Sequence, residues 1–166
     1  MGYDEYGTIY GGSMLLSTLV TCTGLLYLKH VWTLTMQGGA AIKSGNRIDE
    51  DYSKLGLNRP LEVSDVDRQQ DARWRRIVAN DLENIPLGLI VLWSAALASS
   101  AKESEGGIGV IVLTIVFTVA RFAYTACYVF ALQPWRTVAW TLGVLSVVAA
   151  VFLGIVVAFI AQFEYK

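Results

Sequence analysis

The sequence predicts an all-α integral-membrane protein, a four-helix bundle, and three observations carry that prediction. Hydrophobic residues make up 54% of the chain and charged residues only 16%, against about 25% charged in soluble domains. Mean hydropathy is +0.47. The apolar residues come in blocks rather than in alternation, and each of four blocks supplies roughly the 20 residues an α-helix needs to cross a bilayer. The 166 residues are expected to form a single transmembrane domain, 1–166, with no room for a second.

The first helix is expected over about 13–31, either ending there or continuing above the membrane towards Ile42. The others are expected over about 77–99, 107–132 and 137–162. Asp4 and Glu5, with no Lys or Arg ahead of the first block, are wrong for a secretory signal. Between the first two spans lies a long connection, about 32–76, that is more than a linker. Gly38, Gly39, Gly45 and Asn46 are expected to break any continuing helix there, and Asn58-Arg59-Pro60 marks a further turn. From Asp65 the run DVDRQQDARWRR favours helix, so the second helix is expected to start well before the membrane.

Charge sets the expected orientation. The connection carries Lys29, Lys43, Arg47, Lys54, Arg59, Arg68, Arg73, Arg75 and Arg76, whereas the other face receives Lys102 and Lys166. Basic residues in short loops favour the cytoplasm, which puts both termini on the non-cytoplasmic side. Trp32, Trp74, Trp135 and Trp140 cluster at the cytoplasmic boundary, as an aromatic belt does. A net charge of −1 argues against a nucleic-acid partner. Cys22 and Cys127 lie in apolar stretches and read as small core residues, neither a disulfide framework nor a metal site.

The most informative residues are charges inside the apolar blocks. Glu83 interrupts the second and Arg121 the third, and an ionised group at the centre of a spanning helix costs about 2.5–3.5 kcal/mol. Such groups face a bundle interior or a wet cavity and pair there, so Glu83 and Arg121 are expected to share one polar pocket. Arg76, Asn80 and Glu83 fall at i, i+4 and i+7, and Arg121, Thr125 and Tyr128 repeat the pattern, with Tyr124 at i+3. Glu83 lies roughly 10 Å, Tyr128 roughly 6 Å and Arg121 roughly 16 Å from the cytoplasmic ends of their helices. Arg136 opens the fourth helix at that same boundary. Pro86 cannot donate to the Leu82 carbonyl, which predicts a bend just beyond Glu83.

Each residue also has a plainer reading. A Glu–Arg pair can simply fix helix packing, the tyrosines can be boundary aromatics, and Arg136 beside Trp135 can be a membrane anchor. Asn80 can be a helix–helix donor, and Thr125 is expected to bond the carbonyl one turn back. Together, however, Arg76, Arg121, Arg136 and a single Glu83 suit a ligand with carboxylates and one amine. Glutathione has that arrangement, and a guanidinium near its thiol favours the thiolate.

The segment DARWRRIVANDLENI, with Arg76 four residues ahead of Asn80-Asp81-x-Glu83, and the segment VARFAYTACYVFALQPWRTVAW resemble the membrane-associated proteins in eicosanoid and glutathione metabolism. The likeness covers about Arg68 to Trp140 and is greatest to that family's glutathione transferase and prostaglandin E synthase branches. The resemblance implies a homotrimer of four-helix bundles in the endoplasmic reticulum or a mitochondrial membrane. Glutathione, as co-substrate and with no metal, would then lie between subunits in the cytoplasmic half. Arg136 would hold and activate the thiolate beside Thr137, and Glu83 would meet the glutathione amine. Arg76 and Asn80 would hold polar groups, Arg121 would brace Glu83, and Tyr124 and Tyr128 would line the site. Tyr124 stands where the relatives carry His, and Lys43 is the nearest equivalent of a first-helix Arg. The implied function is a glutathione-dependent transferase or peroxidase acting on lipophilic electrophiles or lipid hydroperoxides drawn from the bilayer. The alternative is a non-catalytic accessory or scaffold subunit of a larger membrane complex. A transporter has little support, since no internal repeat is visible.

Overall fold

In a computed structural model the described residues are 4–100 and 106–164, with side chains described over 14–100 and 107–160. Lys102 and Lys166, on which the orientation argument partly rests, lie outside them, as do the side chains of Asp4 and Glu5. The elements are α1 (Asp4–Lys43), α2 (Asp49–Lys54), α3 (Asp65–Ser100), α4 (Gly106–Val129) and α5 (Trp135–Glu164). Four of them, all but α2, are long and apolar enough to cross a membrane.

Helix α1 does not stop at Gly38-Gly39 as the glycines suggested; it runs on to Lys43. Each internal glycine costs about 1 kcal/mol relative to Ala, a preference that tertiary packing overrides. At Gly38 there is a specific reason for the small residue, because an added Cβ would lie 2.8 Å from Nη2 of Arg47. The helix ends at Gly45 instead. That residue has φ +69°, and the Asn46 and Gly45 amides donate to the Ala41 and Ile42 carbonyls at 2.9 and 3.2 Å. This is a Schellman ending, which favours glycine at the left-handed position. At the start of α3 the Ser64 hydroxyl accepts from the Asp67 amide at 3.1 Å, an N-cap. Helix α3 then runs unbroken through Pro86.

Contacts across the bundle fix its topology. On α1 and α3, Thr23 meets Trp93, Lys29 meets Asp81 and Ser44 meets Asp71, so the two helices are antiparallel. On α3 and α4, Arg73 Nη1 donates to the Val129 carbonyl at 3.0 Å and Gly88 faces Phe117, again antiparallel. On α5, Gly143 lies against Ala120 and Arg121, and Gly109 of α4 faces Leu153. The result is an up-down-up-down bundle in which α3 and α4 meet across the middle. Helices α1 and α5 occupy opposite corners and do not touch among the described residues.

The buried stripe of α3 is Asp71, Trp74, Ile77, Asp81, Ile85, Gly88, Leu92, Ala95 and Ser99, with Ala96 beside it. Its three-and-four spacing is the signature of one inward face. One apolar cluster gathers Leu15, Leu19, Leu26, Ile85, Leu92, Val110 and Phe117. A second, nearer the α1–α3 connection, gathers Ala40, Trp74, Ile77, Tyr124, Tyr128 and Ala139. Outward, the helices expose Leu16, Leu28, Ile90, Leu97, Val119 and Phe152, a surface suited to lipid rather than to water. Trp135 and Trp140 are exposed too, while Trp32 stands edge-on to Trp74 at 5.5 Å.

Of the glycines whose surroundings are described, Gly88 leaves the least room for a side chain. A Cβ there would run into the Phe117 ring, and Phe117 is only 1% exposed. Gly88→Ala is therefore expected to cost about 1–3 kcal/mol through overpacking, read as a lowered unfolding midpoint in detergent. Gly143→Ala is the control, because its nearest neighbours would lie at an ordinary 3.6 Å. A midpoint for Gly88→Ala no lower than that of Gly143→Ala would refute the packing argument.

Candidate functional site

Between the two apolar clusters lies a polar layer. Its strongest element is one the sequence reading assigned to the loop: Lys29. Its ammonium bonds both oxygens of Asp81, at 2.7 and 2.6 Å, and the two residues are 4% and 1% exposed. Thr33 donates to the same carboxylate at 3.4 Å. Lys29 sits at the end of an apolar block, where a positive-inside anchor and a buried cation look alike in sequence. The signal that separates them is Asp81, whose stripe on α3 faces α1.

Arg121 lies in the same layer and is 1% exposed. Its Nη1 donates to Asn80 Oδ1 at 2.9 Å, and its guanidinium carbon stands 4.9 Å from the Tyr124 ring centre. The expected Glu83–Arg121 pair is not formed among the described residues. Glu83 is exposed on the outer surface of α3. The cause is helical geometry: at about 100° per residue, Glu83 is turned roughly 200° from the inward-facing Asp81. Thr125 also departs from expectation. Its hydroxyl has no bond to the preceding turn, and among the described residues neither it nor the Arg121 Nε and Nη2 atoms has a hydrogen-bond partner. That free guanidinium edge faces Gly143. Thr114 and Thr118, by contrast, do bond carbonyls one turn back at 2.8 Å.

From Arg121 a chain of contacts leads to α5. The Tyr124 and Tyr128 rings are 5.6 Å apart, and the Arg136 guanidinium lies 4.4 Å from the centre of the Tyr128 ring. Cation–π contacts of this kind fix the plane and position of an arginine. Gln133, with its amide oxygen directed at α5, accepts from Arg136 Nε at 3.2 Å. The turn that delivers Arg136 follows a second Schellman ending, with Leu132 donating to the Cys127 carbonyl at 2.8 Å and Ala131 at φ 55°. Asn80, Arg121, Tyr124, Tyr128 and Arg136 thus form one continuous ladder from α3 through α4 to α5.

The remaining candidates stand outside it. Arg76 is exposed at the start of the apolar part of α3, and Thr137 is exposed on α5. Lys43 is the last, exposed residue of α1. Arg76, Asn80 and Glu83 do share a helix flank, but that flank is displaced from the buried stripe. Among the described residues the exposed Glu83 carboxylate and Arg76 guanidinium, at or near bilayer depth, have no ion-pair partner, and charged groups there are costly without one. The arrangement is thus a half-built polar site: an arginine–tyrosine ladder inside, with unpaired charges beside it on the surface.

No curated protein matches the chain. A family-level comparison, however, matches residues 18–156 to the MAPEG family, a stretch that reaches into all four long helices and includes every residue of the ladder. An all-α bundle of membrane-spanning helices carrying that match identifies this integral membrane protein as a member of the MAPEG family, whose members belong to glutathione and eicosanoid metabolism.

Proposed function

We propose that this protein is a glutathione-dependent membrane transferase or peroxidase acting on lipophilic electrophiles or lipid hydroperoxides. The observation that carries the reading is the guanidinium of Arg136, held over Tyr128 at 4.4 Å at the end of the ladder that starts from Asn80. A cation held in place by a ring and a glutamine amide is suited to stabilise a thiolate, because it need not reorganise as charge develops.

In this reading Arg136 holds the glutathione sulfur as thiolate, with the Thr137 hydroxyl beside it. Glu83 takes the ammonium group, and Arg76 and Asn80 take carboxylate and amide groups. Arg121 acts through Asn80, orienting its amide, rather than by bracing Glu83. With an electrophile, the thiolate forms the new sulfur–carbon bond and the leaving group departs with its electron pair. With a hydroperoxide, the thiolate takes the terminal hydroxyl as the O–O bond breaks, giving a sulfenic acid and an alkoxide that takes a proton from solvent to become the alcohol. A second glutathione then condenses with the sulfenic acid to the disulfide and water.

The exposed Glu83 and Arg76 support assembly as a homotrimer, in which a neighbouring copy of the single 1–166 transmembrane domain closes over glutathione. The basic α1–α3 connection supports a cytoplasmic site with both termini on the opposite side of the endoplasmic reticulum or a mitochondrial membrane. The test is conjugation of glutathione to an electrophilic aryl halide and reduction of a lipid hydroperoxide by the purified protein, with calorimetric titration of glutathione. Saturable binding with either activity supports the enzyme. Absence of glutathione binding, with stoichiometric co-purification in a larger complex, would leave the accessory-subunit reading instead.

A further inference from the structure

Away from the ladder, the end of α1 and the start of α3 form an open surface hollow of about 490 Å³. Ser44, Asn46, Arg68, Asp71, Arg75 and Arg76 line it. We infer that this cavity binds the phosphate of an anionic phospholipid headgroup.

Three arguments support that assignment. The first is charge. Asp71, 2% exposed, accepts from Ser44 Oγ at 3.0 Å, Asn46 Nδ2 at 2.8 Å and Arg75 Nε at 3.1 Å. Arg75 Nη2 forms a second bond to it. The one carboxylate in the cavity is therefore saturated and neutralised by Arg75. Arg68 and Arg76 line the same space and have no carboxylate partner among the described residues. Two unmatched guanidinium groups face a polar hollow, and arginine's fork of donors suits phosphate oxygens.

The second argument is register. Arg68, Arg75 and Arg76 fall at i, i+7 and i+8, so they project from one side of α3 over about 12 Å of its axis. The third is depth. Trp74, in contact with Trp32 at 5.5 Å, precedes Arg75 directly, and the apolar part of α3 begins at Ile77. Tryptophans mark the headgroup level, and basic pockets between helices at that level recognise anionic headgroups. Phospholipid headgroups are concentrated at the level that tryptophans mark, whereas a free anion would have to be drawn from dilute solution. The Ser44 and Asn46 side chains also reach this spot only because α1 ends in its Schellman turn at Gly45. The inference does not depend on the glutathione reading, although Arg76 stands at the border of both.

Native mass spectrometry of the detergent-solubilised protein tests it, with phosphatidylglycerol, phosphatidylcholine of the same acyl chains, and inorganic phosphate as probes. Phosphatidylglycerol is expected to bind at least about tenfold tighter than phosphatidylcholine. Arg68→Gln, an exposed change outside the glutathione residues, is expected to weaken phosphatidylglycerol about fivefold at an unchanged unfolding midpoint. Equal retention of both lipids, or unchanged affinity in Arg68→Gln, would overturn the assignment. Displacement of phosphatidylglycerol by millimolar inorganic phosphate would equally overturn it, giving the hollow to a soluble anion.

Discussion

Asp81→Ala is expected to cost about 3–5 kcal/mol of stability, the loss typical when one partner of a buried ion pair is removed. The size follows from what stays behind. Lys29 would keep its charge at 4% exposure with no counterion, and Arg121, also within electrostatic reach of Asp81, would lose the same compensation. The layer holds two cations and one carboxylate, so Asp81 cannot be spared. The double variant Lys29→Met with Asp81→Leu is expected to recover the part of the loss that falls on Lys29, because an apolar pair of similar volume removes that charge together with the bond, while Arg121 stays without a carboxylate. Unfolding of the purified protein in detergent, monitored by circular dichroism, measures both. If the double variant is as unstable as Asp81→Ala, the loss comes from packing and the electrostatic account fails.

Arg136→Ala is expected to lower kcat/KM for glutathione conjugation by about 10²–10³-fold, the range seen when a fixed donor to a developing anion is removed. Stability is expected to change little, because Arg136 is only half-buried and its contacts are a ring face and a glutamine amide. Arg136→Lys separates charge from geometry. Lysine retains a cation but not the planar fork that lies over Tyr128, so partial activity is expected, with the thiolate forming at higher pH than in the parent protein. The absorbance of the thiolate in the glutathione complex, titrated against pH, reads this directly. Conjugation that persists undiminished in Arg136→Ala would remove this residue from the mechanism. Tyr128→Phe is the companion: it keeps the ring under the guanidinium, so positioning by the ring predicts near-parental kcat, and positioning by the hydroxyl does not.

These two predictions concern different depths of one bundle, and they differ in how far the sequence foretold them. Arg121, Tyr124 and Tyr128 are three and four residues apart on one helix, and Arg136 follows after a short turn. Their juxtaposition is a local matter, settled by a rise of 1.5 Å and 3.6 residues per turn. The apolar blocks are equally local, and they determine the membrane class and four helices without reference to any partner. The residues of the family motif are local too.

Partnership across helices is another matter. Lys29 and Asp81 are 52 positions apart, and no pattern within either helix says that they meet. The sequence sets Arg76, Asn80 and Glu83 on one flank of α3, but not the rotation of that helix about its axis. The packing of Ile77, Ile85, Gly88 and Leu92 sets that rotation, with Gly88 admitting the Phe117 ring. Turning α3 by a single residue's angle would exchange Asp81 for its neighbour in the polar layer. The amino acids by themselves thus determined which charged and aromatic side chains the helices carry and at which turn of each helix they fall. Only the assembled helices decided that Asp81 goes in and Glu83 goes out, because burying a charge depends on what the opposing helix brings to meet it.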